Sequence, residues 1–205
     1  MREVSAGTMG DPKFLRRTYE TPKHPWEAAR MEEEGKLLQK YGLKNKRELW
    51  KAQSILRGFR RQARDLQARL RAGEAQARRE TDLLLARLAR LGVLAPGSPT
   101  LDDVLALTTE DVLRRRFEWI VFTRSLAPTV NASRQWIVHG HFAIGDHRVT
   151  RPGYLVPSAE EAEIHYSPTS PYADDDHSTR VALRERLTAR PVAAEPVAAE
   201  PEGGA

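Results

Sequence analysis

The sequence predicts an α+β chain of two folded parts: a helical N-terminal domain, then a small helix-turn-helix/β-sheet module. A disordered C-terminal tail is expected to follow. Three observations carry this reading. Apolar residues from Leu49 through Leu56, Phe59, Ala63 and Leu66 to Leu70 alternate steps of three and four, the period of one helical face. After Gly140 come short β-favouring runs at 142–144, 148–149, 154–156 and 164–166, broken by Gly145-Asp146 and Pro152-Gly153. The end of the chain repeats Pro-Val-Ala-Ala-Glu from Pro191 and again from Pro196, with too little apolar bulk to offset ordering entropy. The expected parts are 1–107, 108–166 and 167–205.

Residues 1–25 mix glycine and proline with Lys13, Arg16, Arg17 and Lys23, which suits a basic arm that orders only on a partner. Met9 is an alternative candidate start. A helix is expected from about Pro25, a residue that suits a first turn, to Lys40. Glu32, Glu33 and Glu34 on it read as a solvated face, since adjacent residues do not share a side. The next helix is expected from Lys46 to Arg71, with Asn45 and Glu48 as a capping pair. Thr81 to Leu91 is a third helix stopped by Gly92. Thr100 and Asp103 open a short fourth one ending near Leu107. In the module, Thr108 or Thr109 caps a helix running to Pro128 at the latest. Asn131 caps the next, which Gly140 stops. Residues 180–190 can form one more short helix.

The chain has 205 residues, 33 basic and 28 acidic, for a formal charge of +5. That charge is segregated. Residues 1–92 carry +10, residues 93–166 carry −2 and residues 167–205 carry −3. Between Lys44 and Arg71 stand ten basic residues against Glu48 and Asp65. Arg57, Arg61, Arg64 and Arg71 fall on one side of that helix. Solvated helices gain from pairs of opposite sign; this one lacks them, so the pattern points to a polyanion. Zero cysteines exclude disulfides, cysteine-ligated zinc and a cysteine nucleophile. No apolar run approaches the roughly 20 residues of a spanning helix, so no membrane association is expected. No apolar leader opens the sequence, so the expected location is intracellular. No Ser/His/Asp triad, glycine-rich phosphate loop or metal motif is present, so no enzyme and no cofactor are expected.

From Arg114 to Tyr166 the residues Ile120-Val121-Phe122, Leu126-Ala127, Thr129, Arg134-Gln135, Val138-His139-Gly140-His141-Phe142, Val149, Pro152 and Tyr154-Leu155-Val156 resemble the alpha-L RNA-binding module. That module takes its name from ribosomal small-subunit protein four. Upstream, Tyr19-Glu20-Thr21-Pro22, His24-Pro25-Trp26, Tyr41-Gly42-Leu43-Lys44-Asn45-Lys46, Glu48-Leu49-Trp50-Lys51 and Phe59-Arg60-Arg61-Gln62-Ala63-Arg64 are similar to the archaeal form of that family. The resemblance covers roughly residues 9–166. It implies a cytoplasmic ribosomal protein that binds the 5' domain of small-subunit rRNA and nucleates assembly of the subunit body. It also implies contact with small-subunit protein five and other ribosomal proteins, and a part in decoding accuracy near the region where mRNA enters. Ser125 stands where the family usually has glycine, Pro128 where a basic residue is common, and Ser133 where alanine is common. Gly145-Asp146-His147 replaces a usual Asn-Gly turn.

The candidate RNA contacts are Arg57, Arg60, Arg61 and Arg64 on the basic helix, with Arg124, Thr129, Arg134, Gln135, His139, Gly140 and His141 in the module. An arginine fork can chelate a phosphate, and a helix N-terminus favours an anion. Arg124, Thr129, Arg134 and Gln135 are therefore expected to converge there. Gly140 permits a sharp turn and close backbone approach. His139 and His141 alone, with no cysteine, do not make a closed zinc site. Trp136 reads as core. An rRNA-modifying enzyme that borrows the module, such as a pseudouridine synthase, needs a catalytic core for which residues 1–107 leave no room. A non-ribosomal RNA chaperone is the third class, separable by co-sedimentation with the subunit. On this reading Arg134→Ala weakens rRNA binding by about 1.5–3 kcal/mol and leaves the module folded.

Overall fold

The computed structural model describes residues 17–94, 97 and 99–189. The expectations for the arm before Arg17 and for the repeats after Pro191 lie outside the described residues.

The helical part is built on its longest helix. Helix α1 spans Ala28–Tyr41, α2 Lys46–Arg71, α3 Ala75–Arg90, α4 Leu101–Ala106 and α5 Thr109–Arg114. Helices α1, α3, α4 and α5 all pack on α2. The periodic stripe is what they bury: Leu49, Leu56, Phe59, Ala63 and Leu66 meet Leu84, Leu88, Val104 and Leu113. The capping logic holds. Asn45 accepts a hydrogen bond from the Glu48 amide at 3.2 Å, and Thr100/Asp103 and Thr108/Asp111 form reciprocal boxes at α4 and α5. Helix α3 starts six residues before the expected Thr81, because Ala75-Gln76-Ala77 are good helix formers and Ala77 is fully buried. Glu34 is also not on a solvated face. It is buried, accepts from the Trp50 indole at 3.1 Å and pairs with Lys46 at 3.1 Å.

The helix expected to run from Thr108 to Pro128 is two helices, α5 and α6 (Phe117–Thr123). One cause explains this and a second difference. The Phe117 amide donates to the Tyr154 carbonyl at 2.8 Å, the Glu118 amide to Pro152 at 3.2 Å, and the Val156 amide to Arg115 at 3.0 Å. The chain near 154–156 thus takes the backbone groups that a continuous helix would use. Residues 154–156 in turn form a single bridge, Arg116 to Leu155, rather than a strand of the sheet. Helix α7 (Val130–His139) follows, capped by Thr129 and not Asn131: the Thr129 hydroxyl accepts from the Ala132 amide at 3.1 Å.

The sheet has the order β2-β1-β3, all antiparallel, from β1 Phe142–Ile144, β2 His147–Arg148 and β3 Ile164–Tyr166. Ala143 faces Arg148 on one side and His165 on the other. Phe117, Val121, Ile137, Phe142, Val156 and Ile164 form this second core. A short α8 (Ser158–Glu161) links the loop to β3. The packed unit continues beyond Tyr166. A 3-10 turn, Pro171–Ala173, brings Tyr172 onto Trp136 with ring centroids 4.2 Å apart, and α9 (Ser178–Ala189) places Leu183 in the core.

Two of the left-handed residues that close helices differ in what they can tolerate. Gly42 has φ 62°, and a Cβ there would lie 2.6 Å from Val130 Cγ1 at the start of α7. Ser125, with φ 58°, is the one described non-glycine residue in this region. It ends α6, and Leu126 donates back to the Val121 carbonyl at 3.0 Å. A left-handed L-residue costs roughly 1–2 kcal/mol, partly offset by the unfolded-state freedom of glycine. Ser125→Gly is therefore expected to raise unfolding stability by about 0.5–1 kcal/mol. Gly42→Ala, strained and crowded, should lower it by about 2 kcal/mol or more. Urea titrations of both variants check the opposite signs.

Candidate nucleic-acid interface

The two parts meet at a buried ionic group assembled from three distant segments. Glu48 lies in the first turn of α2, Arg116 at the break between α5 and α6, Glu118 in the first turn of α6, and Arg134 midway along α7. One Arg134 nitrogen, Nη1, donates to Glu48 Oε2 and to Glu118 Oε2, each at 3.0 Å. The other, Nη2, donates to Glu48 Oε1. Arg116 donates to Glu48 at 2.7 Å and pairs with Glu118 at 2.9 Å. Ser133, one residue before Arg134, donates to the Glu118 carbonyl at 2.7 Å and fixes α7 against α6. Glu118 is 0% exposed, so its charge is tolerable only beside cations.

Burial and the guanidiniums act on the two carboxyls with different results. Burial pushes Glu118 up to about 7, against the pull of Arg116 and Arg134, with the Glu48 charge adding to the rise. Glu48 is also pushed up by burial, but Arg134 and Arg116 outweigh this and hold it below the ordinary range. Glu48 is thus the firm anion of the group. Glu118 is the member that accepts a proton.

The structure does not gather Arg124, Thr129, Arg134 and Gln135 around one anion. Arg134 is turned inward, as described. Arg124 donates to the Glu161 carbonyl. Thr129 spends its hydroxyl oxygen on the α7 cap, and Gln135 alone of the four points outward unengaged. His139 is exposed, while His141 bonds Ser170 at 3.0 Å through Nδ1. Burial, then the positive charges of His139 and Arg148, lower the His141 pKa. Gly140 has φ 78°, and its bare face lies against the Arg148 guanidinium, which in turn donates to the His139 carbonyl at 2.9 Å.

On α2 the four arginines divide. Arg60 reaches inward to the Leu107 carbonyl, and Arg57 pairs with Glu20. Arg61 and Arg64 are exposed and have no partner among the described residues, as are Arg47 and Lys51. These lie on the side of α2 turned away from its buried stripe. Sequence reasoning missed Glu48, Arg116 and Glu118 as parts of the site. One signal was present: an acid inside the run Phe117-Glu118-Trp119-Ile120-Val121 must be partnered if that face is core.

An unpaired cationic helix face beside a small two-helix and sheet module is the surface of a polyanion-binding type of protein. Residues 13–114 match the Ribosomal protein S4/S9 N-terminal domain family, and residues 115–161 match the S4 domain family. Small ribosomal subunit protein uS4 of Picrophilus torridus is 49% identical over 175 residues, covering 85% of this chain and 95% of that protein. The Thermoplasma acidophilum protein of the same name is 47% identical over 85% of this chain and 87% of its own length. The Methanococcus aeolicus one is 46% identical over 84% and 96%. The chain belongs to the uS4 family of small-subunit ribosomal proteins, a structural and non-enzymatic component of the cytoplasmic ribosome. Among the described residues no helix is long and apolar enough to cross a membrane.

Removing one member of a buried ionic group strands its partners. Arg134→Ala is therefore expected to cost about 3 kcal/mol of stability as well as any RNA affinity, unlike the simpler expectation from sequence. Glu118 behaves differently. Its folded pKa is raised above the roughly 4.3 of an unfolded glutamate, so native protein binds the extra proton between those values. The stability this contributes is present at acid pH and is lost as pH rises through about 7. Glu118→Gln is expected to flatten the pH dependence of unfolding stability between about pH 5 and 7. A Glu118→Gln variant that keeps the wild-type slope would contradict this.

Proposed function

We propose that this chain binds small-subunit rRNA directly, in its 5' domain, as a primary binder that nucleates assembly of the subunit body. On this reading it contacts small-subunit protein five and other ribosomal proteins, and contributes to translational accuracy near the region where mRNA enters. Membership in the uS4 family supports a place in the small subunit. The observation that carries RNA binding is the outer face of α2, where Arg61 and Arg64 stand exposed with no acidic partner among the described residues. Arg57, Arg60, Arg124, Thr129, Arg134, Gln135, His139, Gly140 and His141 remain the other proposed contacts, in two roles. Exposed Arg57, Gln135 and His139 meet RNA themselves. Arg60, Arg124, Thr129, Arg134, Gly140 and His141, held by internal contacts, shape the surface around them.

Each neutralised phosphate releases condensed counterions, so affinity falls with salt at a slope set by the number of contacts. Reversing both charges in Arg61→Glu/Arg64→Glu should weaken binding to small-subunit rRNA in filter titrations. It should also make the slope of log affinity against log salt shallower by about 2. An unchanged slope would remove this helix face from the interface.

A further inference from the structure

A cleft of about 390 Å³ opens at the seam between α2 and the loop before Leu155. Lys51 and Ile55 stand on its α2 wall, and Thr150 and Arg151 on the opposite wall. Leu155, Arg116 and Arg134 also line it, with the buried Val112 behind them. The volume falls in the roughly 300–1,000 Å³ range of small-ligand sites.

Its chemistry is mixed in a way that selects a ligand. Glu48 and Glu118 offset at most the charges of Arg116 and Arg134, so Lys51 and Arg151 leave a surplus of at least two positive charges. Both are exposed, with no partner among the described residues. The buried Arg116 Nε likewise has no hydrogen-bond acceptor. Ile55 is 37% exposed, high for an isoleucine beside a core. A bare phosphate would leave Ile55 and Leu155 wet. An apolar side chain would bring nothing to Lys51, Arg151 and Thr150. A flat, partly apolar group carrying an anion satisfies both.

We infer that this interdomain cleft receives a single unstacked ribonucleotide, its base against Ile55 and Leu155 and its phosphate between Lys51 and Arg151. This rests on the RNA-binding reading above and says where on the seam a base is read. Single-stranded RNA is recognised by splaying bases out onto side-chain and guanidinium surfaces.

The test fills the slot without touching its charges. Ile55→Trp and, on the opposite wall, Thr150→Trp are measured in the full chain by filter titration against small-subunit rRNA, with the thermal midpoint of each confirming the fold. The cleft predicts at least a roughly tenfold loss of affinity for each folded variant, with an unchanged salt slope. Lys51→Ala should weaken binding several-fold and make the slope shallower by about 1. If one variant fails to fold, the other decides. A folded filled variant that binds within about twofold of wild type overturns the nucleotide cleft. So does one that keeps rRNA affinity but loses co-assembly with other small-subunit proteins, since the cleft would then seat protein. Failure of the wild-type chain to bind rRNA would instead remove the RNA-binding reading itself.

Discussion

The Arg134 fork on Glu48 and Glu118 is the contact on which the rest of the molecule depends. It joins α2, the axis of the helical part, to α6 and α7, the axis of the module. The set opposes two arginines to two glutamates, of which Glu48 is the firm anion. A buried set of this kind is a poor source of net stability, because desolvation consumes most of the Coulomb gain. What it supplies is a defined geometry. Apolar surfaces can slide by a residue at small cost. A bidentate fork cannot, and breaking it takes from the fully buried Glu118 one of its two cationic partners. The tight approach of Gly42 to Val130 acts in the same direction by steric means.

Helix α2 then serves three needs at once. One face is core, its first turn anchors the seam, and its outer face presents unpaired arginines. A single rigid helix of 26 residues therefore transmits the orientation of the module to the whole cationic surface. This explains why the charge asymmetry of the chain concentrates where it does. Arginines that are needed for structure, such as Arg60 and Arg116, turn inward to carbonyls and carboxylates. Those with nothing to hold remain on the outside. The module itself is not strongly positive, so the affinity proposed for RNA has its main source in α2 and in the seam.

Much of the fold was legible in the sequence because its causes are local. The bounds of α2 follow from an apolar period and the Asn45 cap, and the end of α7 follows from Gly140. The break between α5 and α6 was not legible, because the groups that cause it, the Pro152 and Tyr154 carbonyls, arrive from a distant part of the chain. The site shows the same division. The Arg134-Gln135 and His-Gly-His signature marked the module, yet Arg134 meets Glu48 across 86 residues, a distance that no spacing argument covers. Residues 167–185 read as an extension because apolar residues are sparse there. They are attached by contacts with distant residues: Tyr172 stacked on Trp136, Ser170 bonded to His141, and Leu183 in the core.

A double-mutant cycle on Glu48→Ala and Arg134→Ala, read by urea unfolding, tests this account most directly. If the two side chains hold the halves in register, the double variant will lose much less than the sum of the singles. The expected coupling is about 1.5–3 kcal/mol, and wild type will unfold in one transition. Additive losses within about 0.5 kcal/mol, or two separate transitions in wild type, would show that the halves are not joined through this contact.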